Sequence, residues 1–255
     1  MSPELSGEAS TAGRNLLIIG HSHVGPIRQA AIIRREADPD RPRARTIHLL
    51  DPAFAPEMDG NDFSSGVKRV ILDQIERHHP IVASVMGGNA HSAYVLIPRE
   101  RFDFRIEGGE TLPIDDSVPI RSEEEMRAIL ADILQPEVQR LRLLHALIGP
   151  FWQLESPPPV RRADWIIAHA ESYFIDQPDF HSLGVAPAGV RYRTWLLASR
   201  MIREACEQLG CSYLEVPRRL RGEAGLLRPS HARDATHGNH YFGEAMLQAL
   251  EAAAV

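Results

Sequence analysis

The sequence predicts a three-layer α/β/α sandwich around a mainly parallel five-stranded sheet. Short apolar runs rich in branched residues alternate with helical patterns, and glycine or proline ends several of the runs. With 255 residues, 44% of them hydrophobic and 24% charged, the chain matches an average soluble domain. It contains no internal repeat or linker, so we expect a flexible N-terminus of residues 1–13 followed by a single domain, 14–255.

Each predicted element follows from a local pattern. Strands are predicted at 15–20, 46–50 and 81–86, within 146–154, and at 211–216. Five helices are predicted. The first begins at Gly25-Pro26, the second carries the apolar positions of 67–75 and ends at Pro80, and the third begins at the capping box Ser122 to Glu125. The last two cover 193–209 and 241–253. Pro136 predicts a kink or break in the third of these helices.

Two segments interrupt the alternation. Strand-like pieces at 94–97 and 102–106 predict that 94–120 is an inserted hairpin or lid. Its arginines, Arg99, Arg101 and Arg105, fit recognition of an anionic or sugar substrate or, equally, a solvated face. Residues 176–190 are predicted to be an irregular loop.

The overall charge excludes some classes of partner. The chain has 28 Lys+Arg against 34 Asp+Glu, a formal net charge of −6, and no basic stretch interleaved with aromatics, so we expect no nucleic acid partner. No segment has the length and apolar character of a membrane span, and no signal peptide is visible, so we expect no membrane partner and a cytoplasmic location. Cys206 and Cys211 are interpreted as reduced, buried residues.

Chemistry-bearing residues follow the predicted strands. Ser22 comes after the first strand, Gly60 lies in the loop after the second, Gly87-Gly88-Asn89 follows the third, and Asp234-x-x-His237 precedes the last helix. Each has an ordinary alternative as a turn or capping residue. Together, at the carboxyl ends of parallel strands, a serine, an imidazole, a carboxylate and an amide are the parts of an acyl-transfer site.

In this order, the motifs resemble those of the SGNH/GDSL hydrolase superfamily, and the resemblance covers about residues 15–255. It implies a flavodoxin-like sandwich and an esterase that needs no cofactor and no metal. The implied roles are nucleophile for Ser22, general base for His237, orienting acid for Asp234, and oxyanion donors at the Ser22 and Gly60 backbone N–H groups and the Asn89 side chain.

The sequence departs from this family at the nucleophile. The usual Gly-Asp-Ser reads Gly20-His21-Ser22, and the following leucine is replaced by His23. We expect the two imidazoles to alter hydrogen bonding and pH response near the serine. Gly66 lies in the same segment as Gly60, but Gly60 is preferred as the oxyanion donor because Gly66 is predicted to open a helix.

The implied reaction is a two-step acyl transfer from a small ester, such as an O-acetylated carbohydrate. The candidate substrate contacts are His23 and His181. Transfer to a second hydroxyl instead of water, and ligand binding without turnover, are alternatives. A metal-assisted hydrolase is a minor hypothesis that rests on convergence of five histidines: His21, His23, His91, His237 and His240. The oligomeric state is left open.

Overall fold

The fold has a single central sheet with parallel strands. The computed structural model describes residues 14–96, 100–109, 111–176 and 184–254. The strands are β1 (Leu16–Gly20), β2 (Ala44–His48), β3 (Met58–Asp59), β4 (Asp62–Phe63), β5 (Ile81–Ser84), β6 (Asp103–Phe104), β7 (Ile120–Arg121), β8 (Trp152–Leu154) and β9 (Ser212–Leu214). Five of them form the central sheet in the order β2-β1-β5-β8-β9, with every neighbouring pair parallel. This is the flavodoxin-like strand order, so the predicted fold class is confirmed.

Helices cover both faces of the sheet. They are α1 (Val24–Ala37), α2 (Ser65–His78), α3 (Ala90–Leu96), α4 (Glu123–Ile148), α5 (Ala163–Ala168), α6 (Ser172–Ile175), α7 (Ala188–Gln208) and α8 (His240–Ala253). Short 3-10 turns lie at Pro52–Phe54, Arg218–Leu220, Glu223–Gly225 and Pro229–His231. In the described part of the chain, no helix is both long and apolar enough to cross a membrane.

Strand β1 shows how the sheet separates two apolar cores. Leu16 and Ile18 pack with buried side chains of α1 and α8, whereas Leu17 and Ile19 pack with those of α2, α4 and α7. All four are fully buried. Alternate residues of a strand point to opposite faces, so a continuous apolar run is what a strand covered on both sides requires.

The 94–120 insertion differs from the predicted hairpin. Residues 94–96 end α3 instead of forming a strand, since His91, Val95 and Leu96 are buried on one side of that helix. Strand β6 pairs with β7 in parallel, a geometry that a tight hairpin cannot produce. A buried ion pair fixes the insertion to α7, because the Arg193 guanidinium donates to both carboxylate oxygens of Asp103. Arg99 lies outside the described residues.

Helix α4 runs through Pro136 without the break that was one predicted outcome, and it extends to Ile148, into the segment expected to hold the fourth strand. Pro136 is exposed, so the carbonyl that loses its helical hydrogen bond lies on the solvent side, where water can satisfy it. The strand itself is shorter, because Gly149, at φ 78°, ends the helix shortly before β8.

Close packing of α1 against α8 joins the two ends of the fold. A Cβ on Gly243 would lie 2.3 Å from the Pro26 carbonyl oxygen, so only glycine allows this approach of the two backbones. Arg34 on α1 strengthens the contact by donating from Nη1 to Glu251 at 2.7 Å and from Nη2 to Glu244 at 3.0 Å. Ser22 lies in the turn before α1 and His237 lies in the turn before α8, so this packing helps to set their separation.

Gly243→Ala is expected to destabilise the fold by on the order of 1–3 kcal/mol, since the added methyl meets backbone that cannot move aside. The matched control is Gly66→Ala in α2, where the nearest atom to the new Cβ is Ser64 Oγ at 3.8 Å. Urea unfolding should show a loss for the first variant and no loss for the second. Equal stability of Gly243→Ala and wild type would contradict the packing argument.

Candidate active site

Two neighbouring strands deliver the predicted serine and asparagine to one edge of the sheet. Strand β1 ends at Gly20 and Ser22 follows in the turn before α1, where the Gly25 N–H donates to the Ser22 carbonyl. The adjacent strand β5 ends at Ser84, and Asn89 follows directly before α3. The close approach of β1 and β5 continues past their ends, since a Cβ on Gly20 would lie 2.6 Å from Val85 Cγ2.

The turn before α8 presents the predicted acid and base. The Asp234 Oδ1 atom accepts the backbone N–H groups of Thr236 at 3.0 Å and His237 at 2.8 Å, which folds the segment back on itself. The same carboxylate accepts His237 Nδ1 at 2.8 and 3.0 Å. Asn239 then caps α8 by accepting from Tyr241 and Phe242. The Asp-x-x-His spacing therefore lets one carboxylate accept hydrogen bonds both from the backbone of the turn and from the His237 imidazole.

Asn89 lies between the serine and the histidine. Its Nδ2 atom is 3.1 Å from His237 Nε2 and 3.5 Å from Ser22 Oγ, the second at the long end of hydrogen bonding. Because His237 Nδ1 carries the proton that Asp234 accepts, Nε2 is the acceptor, and the Asn89 amide donates to it. The structure therefore brings together all four predicted side chains: Ser22, Asn89, Asp234 and His237.

The surroundings of Asp234 favour its ionised form. Partial burial would raise the pKa of Asp234, but the hydrogen bond and charge of His237 and the N–H groups of Thr236 and His237 outweigh it and hold that pKa well below its usual range. Arg233 also donates from Nε to Asp234 Oδ2 at 2.8 Å. Its adjacency to the acid is visible in the sequence, although its contact is not.

His21 contacts Glu57, a residue that the sequence analysis did not identify. Its Nε2 atom is 3.1 and 3.2 Å from the two carboxylate oxygens of Glu57, and Arg140 Nε donates to the same carboxylate at 2.9 Å. Partial burial would raise the pKa of Glu57, but the hydrogen bonds and charges of His21 and Arg140 lower it overall. The loop after β2 and helix α4 are thereby held against the residue before the serine. No local pattern marks Glu57 for this role.

The two candidate oxyanion glycines occupy different positions. Gly60 is exposed at the tip of the β3–β4 hairpin, with φ 60°. Gly66 is partly buried in the first turn of α2, as the prediction that it opens a helix anticipated. Backbone N–H groups in the first turn of a helix have no intrahelical acceptor, so the Gly66 N–H is available to a ligand.

Of the two histidines predicted as substrate contacts, only His23 lies within the described residues. His181 lies outside the described residues. His23 is 7% exposed, its Nε2 atom is 3.0 Å from Asn89 Oδ1, and its ring centroid is 4.8 Å from that of His237. Burial first, and then the neighbouring His237, lower the pKa of His23 to about 3. Its contacts include the Gly88 backbone as well as Asn89 and His237.

The five histidines of the metal hypothesis do not converge in the described part of the chain, since His21 faces Glu57 and His240 packs on Tyr241. A different group could hold a metal ion: potential ligand atoms of Glu171, Asp234 and His237 lie within 4.8 Å of one another. A metal there would have to replace the His237 Nδ1 proton that Asp234 accepts.

Comparison with known proteins gives likenesses in overall structure. No protein-family model matches the sequence, and a search of curated proteins gave no match. A provisionally named platelet activating factor from Streptococcus pneumoniae is 12% identical, with a TM-score of 0.47 over 97% of this chain and 87% of that one. A GDSL-like lipase from Bacteroides thetaiotaomicron is 11% identical, with a TM-score of 0.43 over 95% and 89%. A variant of an acetyl-xylooligosaccharide esterase from Geobacillus stearothermophilus is 11% identical, with a TM-score of 0.40 over 94% and 93%. Likenesses of this size do not assign a substrate to the chain.

Asp234→Asn is expected to lower the free energy of unfolding at neutral pH by on the order of 1–3 kcal/mol, because a charged hydrogen-bond acceptor is lost. The pKa of Asp234 is depressed in the folded state, so its contribution is present above the unfolded value of about 3.9 and declines as the pH falls below it. Urea unfolding from pH 7 to pH 3 should show the gap between the two proteins closing below about pH 4. Asp132→Asn, at an exposed position of α4, is the control. A gap that does not change with pH would contradict the expectation.

Proposed function

We propose that this chain is a serine hydrolase that cleaves a small acyl ester through an acyl-enzyme on Ser22. The observation that supports it most is the hydrogen-bonded series from Asp234 through His237 and Asn89 to Ser22. These residues come from three separate parts of the chain and carry the groups that acyl transfer needs. In this proposal Ser22 is the nucleophile, His237 the general base and Asp234 the acid that orients it.

The first step begins with an exchange of hydrogen bonds at Asn89. In the free protein, its amide donates to His237 Nε2, the atom that must accept the serine proton. A bound ester presents a carbonyl oxygen that can accept the Asn89 N–H instead, which frees the lone pair on Nε2. Ser22 Oγ then forms a bond to the carbonyl carbon while its proton moves to Nε2, and the carbonyl electron pair moves to oxygen.

The negative oxygen formed in that step would be stabilised by the Asn89 amide and by the Ser22 backbone N–H in the turn before α1. Each such donor contributes on the order of 10²–10³ in rate. The third proposed donor is a glycine backbone N–H in the segment from the loop after β2 to the first turn of α2. The sequence favours Gly60, but its exposure is unfavourable for a donor that works best away from water, and Gly66 is the other candidate.

Collapse of this intermediate breaks the ester C–O bond, and His237 returns the proton to the leaving alkoxide. Water, deprotonated by the same imidazole, then attacks the acyl-enzyme and releases the acid. An acylated carbohydrate fits the SGNH/GDSL resemblance as a substrate class. An O-acyltransferase shares the first half-reaction and differs only in the acceptor, so partition of the acyl-enzyme between water and an added hydroxyl acceptor separates the two.

Ser22→Ala is expected to abolish both covalent labelling by a fluorophosphonate probe and hydrolysis of p-nitrophenyl acetate, because no nucleophilic oxygen remains. His237→Ala should reduce turnover by ~10²–10⁴, the usual contribution of a general base. Intact mass spectrometry of wild type should show one adduct, which peptide mapping places on Ser22.

The matched controls are Ser230→Ala and His231→Ala, a serine and a histidine that bond to each other outside the hydrogen-bonded series. Both should label and turn over like wild type. A folded wild type that neither labels nor hydrolyses the ester would favour the alternative of a ligand-binding protein without turnover.

Asn89→Ala should lower kcat by on the order of 10²–10³ through loss of one oxyanion donor. Gly66→Pro removes the Gly66 backbone N–H, one of the two candidates for the third oxyanion donor. Gly66 lies in the first turn of a helix, where proline is tolerated. A comparable loss in Gly66→Pro assigns the third donor to Gly66. Wild-type kcat in a folded Gly66→Pro variant excludes Gly66 and leaves Gly60.

A further inference from the structure

His23 is buried at a position where its own helix would benefit from a different side chain. It is the N-cap residue of α1, yet its side chain makes no capping hydrogen bond. Serine, threonine, aspartate or asparagine at an N-cap typically stabilises a helix by ~1 kcal/mol relative to a residue that cannot cap. The imidazole instead turns inward, where its Nε2 atom lies 3.0 Å from Asn89 Oδ1.

The proton positions in this cluster follow from the Asp234 carboxylate. His237 donates from Nδ1 to Asp234, so its Nε2 accepts and Asn89 must present its NH₂ group to it. The Asn89 carbonyl oxygen is then directed at His23, and a carbonyl only accepts. His23 must therefore donate from Nε2, which places the lone pair of the neutral ring on Nδ1.

The ring of His23 stays neutral at ordinary pH, because burial lowers its pKa to about 3. Its Nδ1 atom has no hydrogen-bond partner among the described residues, and the ring lines a small pocket with His91 and Gln153. A single proton on a neutral ring, with Nδ1 unprotonated, is consistent with donation from Nε2 to Asn89.

Gly88 leaves the space that this arrangement needs. A Cβ at Gly88 would lie 1.7 Å from His23 Cδ2 and 2.3 Å from Nε2, so no other residue fits there while the imidazole occupies its place. The ring also packs against His237, with 4.8 Å between the ring centroids. The glycine before Asn89 thus does more than end a strand, because it admits the imidazole that contacts the asparagine.

We propose that His23 is a positioning residue, which holds the Asn89 carbonyl so that the Asn89 amide faces Ser22 Oγ and His237 Nε2. The inference rests on the proposed hydrolase function for its kinetic consequence, whereas the hydrogen bond and the tautomer do not depend on turnover. Neither family resemblance nor sequence spacing assigns this role. Without the donor, the Asn89 side chain is free to rotate away from the reacting atoms.

His23→Leu removes the donor with a side chain of similar bulk, and His23→Gln retains an N–H near the position of Nε2. His23→Leu is expected to lower kcat for p-nitrophenyl acetate by roughly tenfold to a hundredfold with KM little changed, since a small misplacement of a reacting group has that effect. His23→Gln should recover most of kcat. Equal losses in the two variants, with both folded, would overturn the role of the donor.

A double-mutant cycle separates positioning from a general structural effect. If His23 acts through Asn89, then His23→Leu should change kcat less than about threefold when Asn89 is already alanine, because coupled residues are not additive. An undiminished loss in the Asn89→Ala background would overturn the proposal. Ser22→Ala in the same assay tests the hydrolase function separately. Wild-type turnover in that variant would contradict the proposed function, whereas the predicted tautomer of His23 would still be tested by the experiment below.

Nitrogen-15 NMR of the imidazole groups provides a test that needs no turnover and no destabilising variant. Burial lowers the pKa of His91 to about 4, so its ring also stays neutral over this range. The spectrum of Ser22→Ala protein should show a histidine that is protonated at Nε2 and stays neutral from pH 8 to pH 5, and that is lost when His23→Gln, but not His91→Gln, is added. A neutral His23 protonated at Nδ1, or one that takes up a second proton in this range, would overturn the proposal.

Discussion

The hydrogen bond from His237 Nδ1 to Asp234 is the interaction on which the rest of the site depends. It determines which imidazole nitrogen carries the proton, and that choice sets the orientation of the Asn89 amide and then the tautomer of His23. The Asp234 carboxylate is held by two backbone N–H groups of its own turn, so the series starts from a rigid acceptor. In the series from Asp234 to His23, each hydrogen bond fixes the donor and acceptor roles of the next group, because reversing one of them would place two donors or two acceptors face to face.

The architecture supplies the distances that this series requires. Ser22 and Asn89 follow neighbouring parallel strands, while His237 precedes α8, the helix that packs on α1 just after Ser22. The tight approach of Gly243 to the Pro26 backbone therefore affects more than stability, since it helps to set how far the imidazole lies from the serine. A close contact between backbones serves this purpose better than side-chain packing, because backbone atoms have no alternative rotamers.

His21, which replaces the aspartate of the Gly-Asp-Ser motif, is paired with a carboxylate from another part of the chain. Where the family motif has an aspartate beside the serine, this chain places an imidazole, and Glu57 in the loop after β2 supplies a carboxylate to it. Arg140 binds the same carboxylate from α4. The Glu57 carboxylate thus lies beside the residue that precedes Ser22, and its contacts with His21 and Arg140 restrain the loop that carries Gly60.

The sequence by itself determined the alternation of strands and helices and, through the SGNH/GDSL resemblance, the fold class, because periodicity and turn chemistry are local. It also marked Ser22, Asn89, Asp234 and His237 as site candidates by their places after strands and before the last helix. One error fell where local signals compete: residues 94–96 have strand-like composition but form a helix end. Of the two outcomes predicted at Pro136, a kink or a break, the break does not occur, because the proline lies on the solvent face of a continuous helix. Only the tertiary structure decided that Asn89 lies between serine and histidine, that His23 turns inward and that Glu57 meets His21. These contacts join residues 66, 148 and 36 positions apart, and such pairs are set by how strands and helices pack together, which no local pattern encodes.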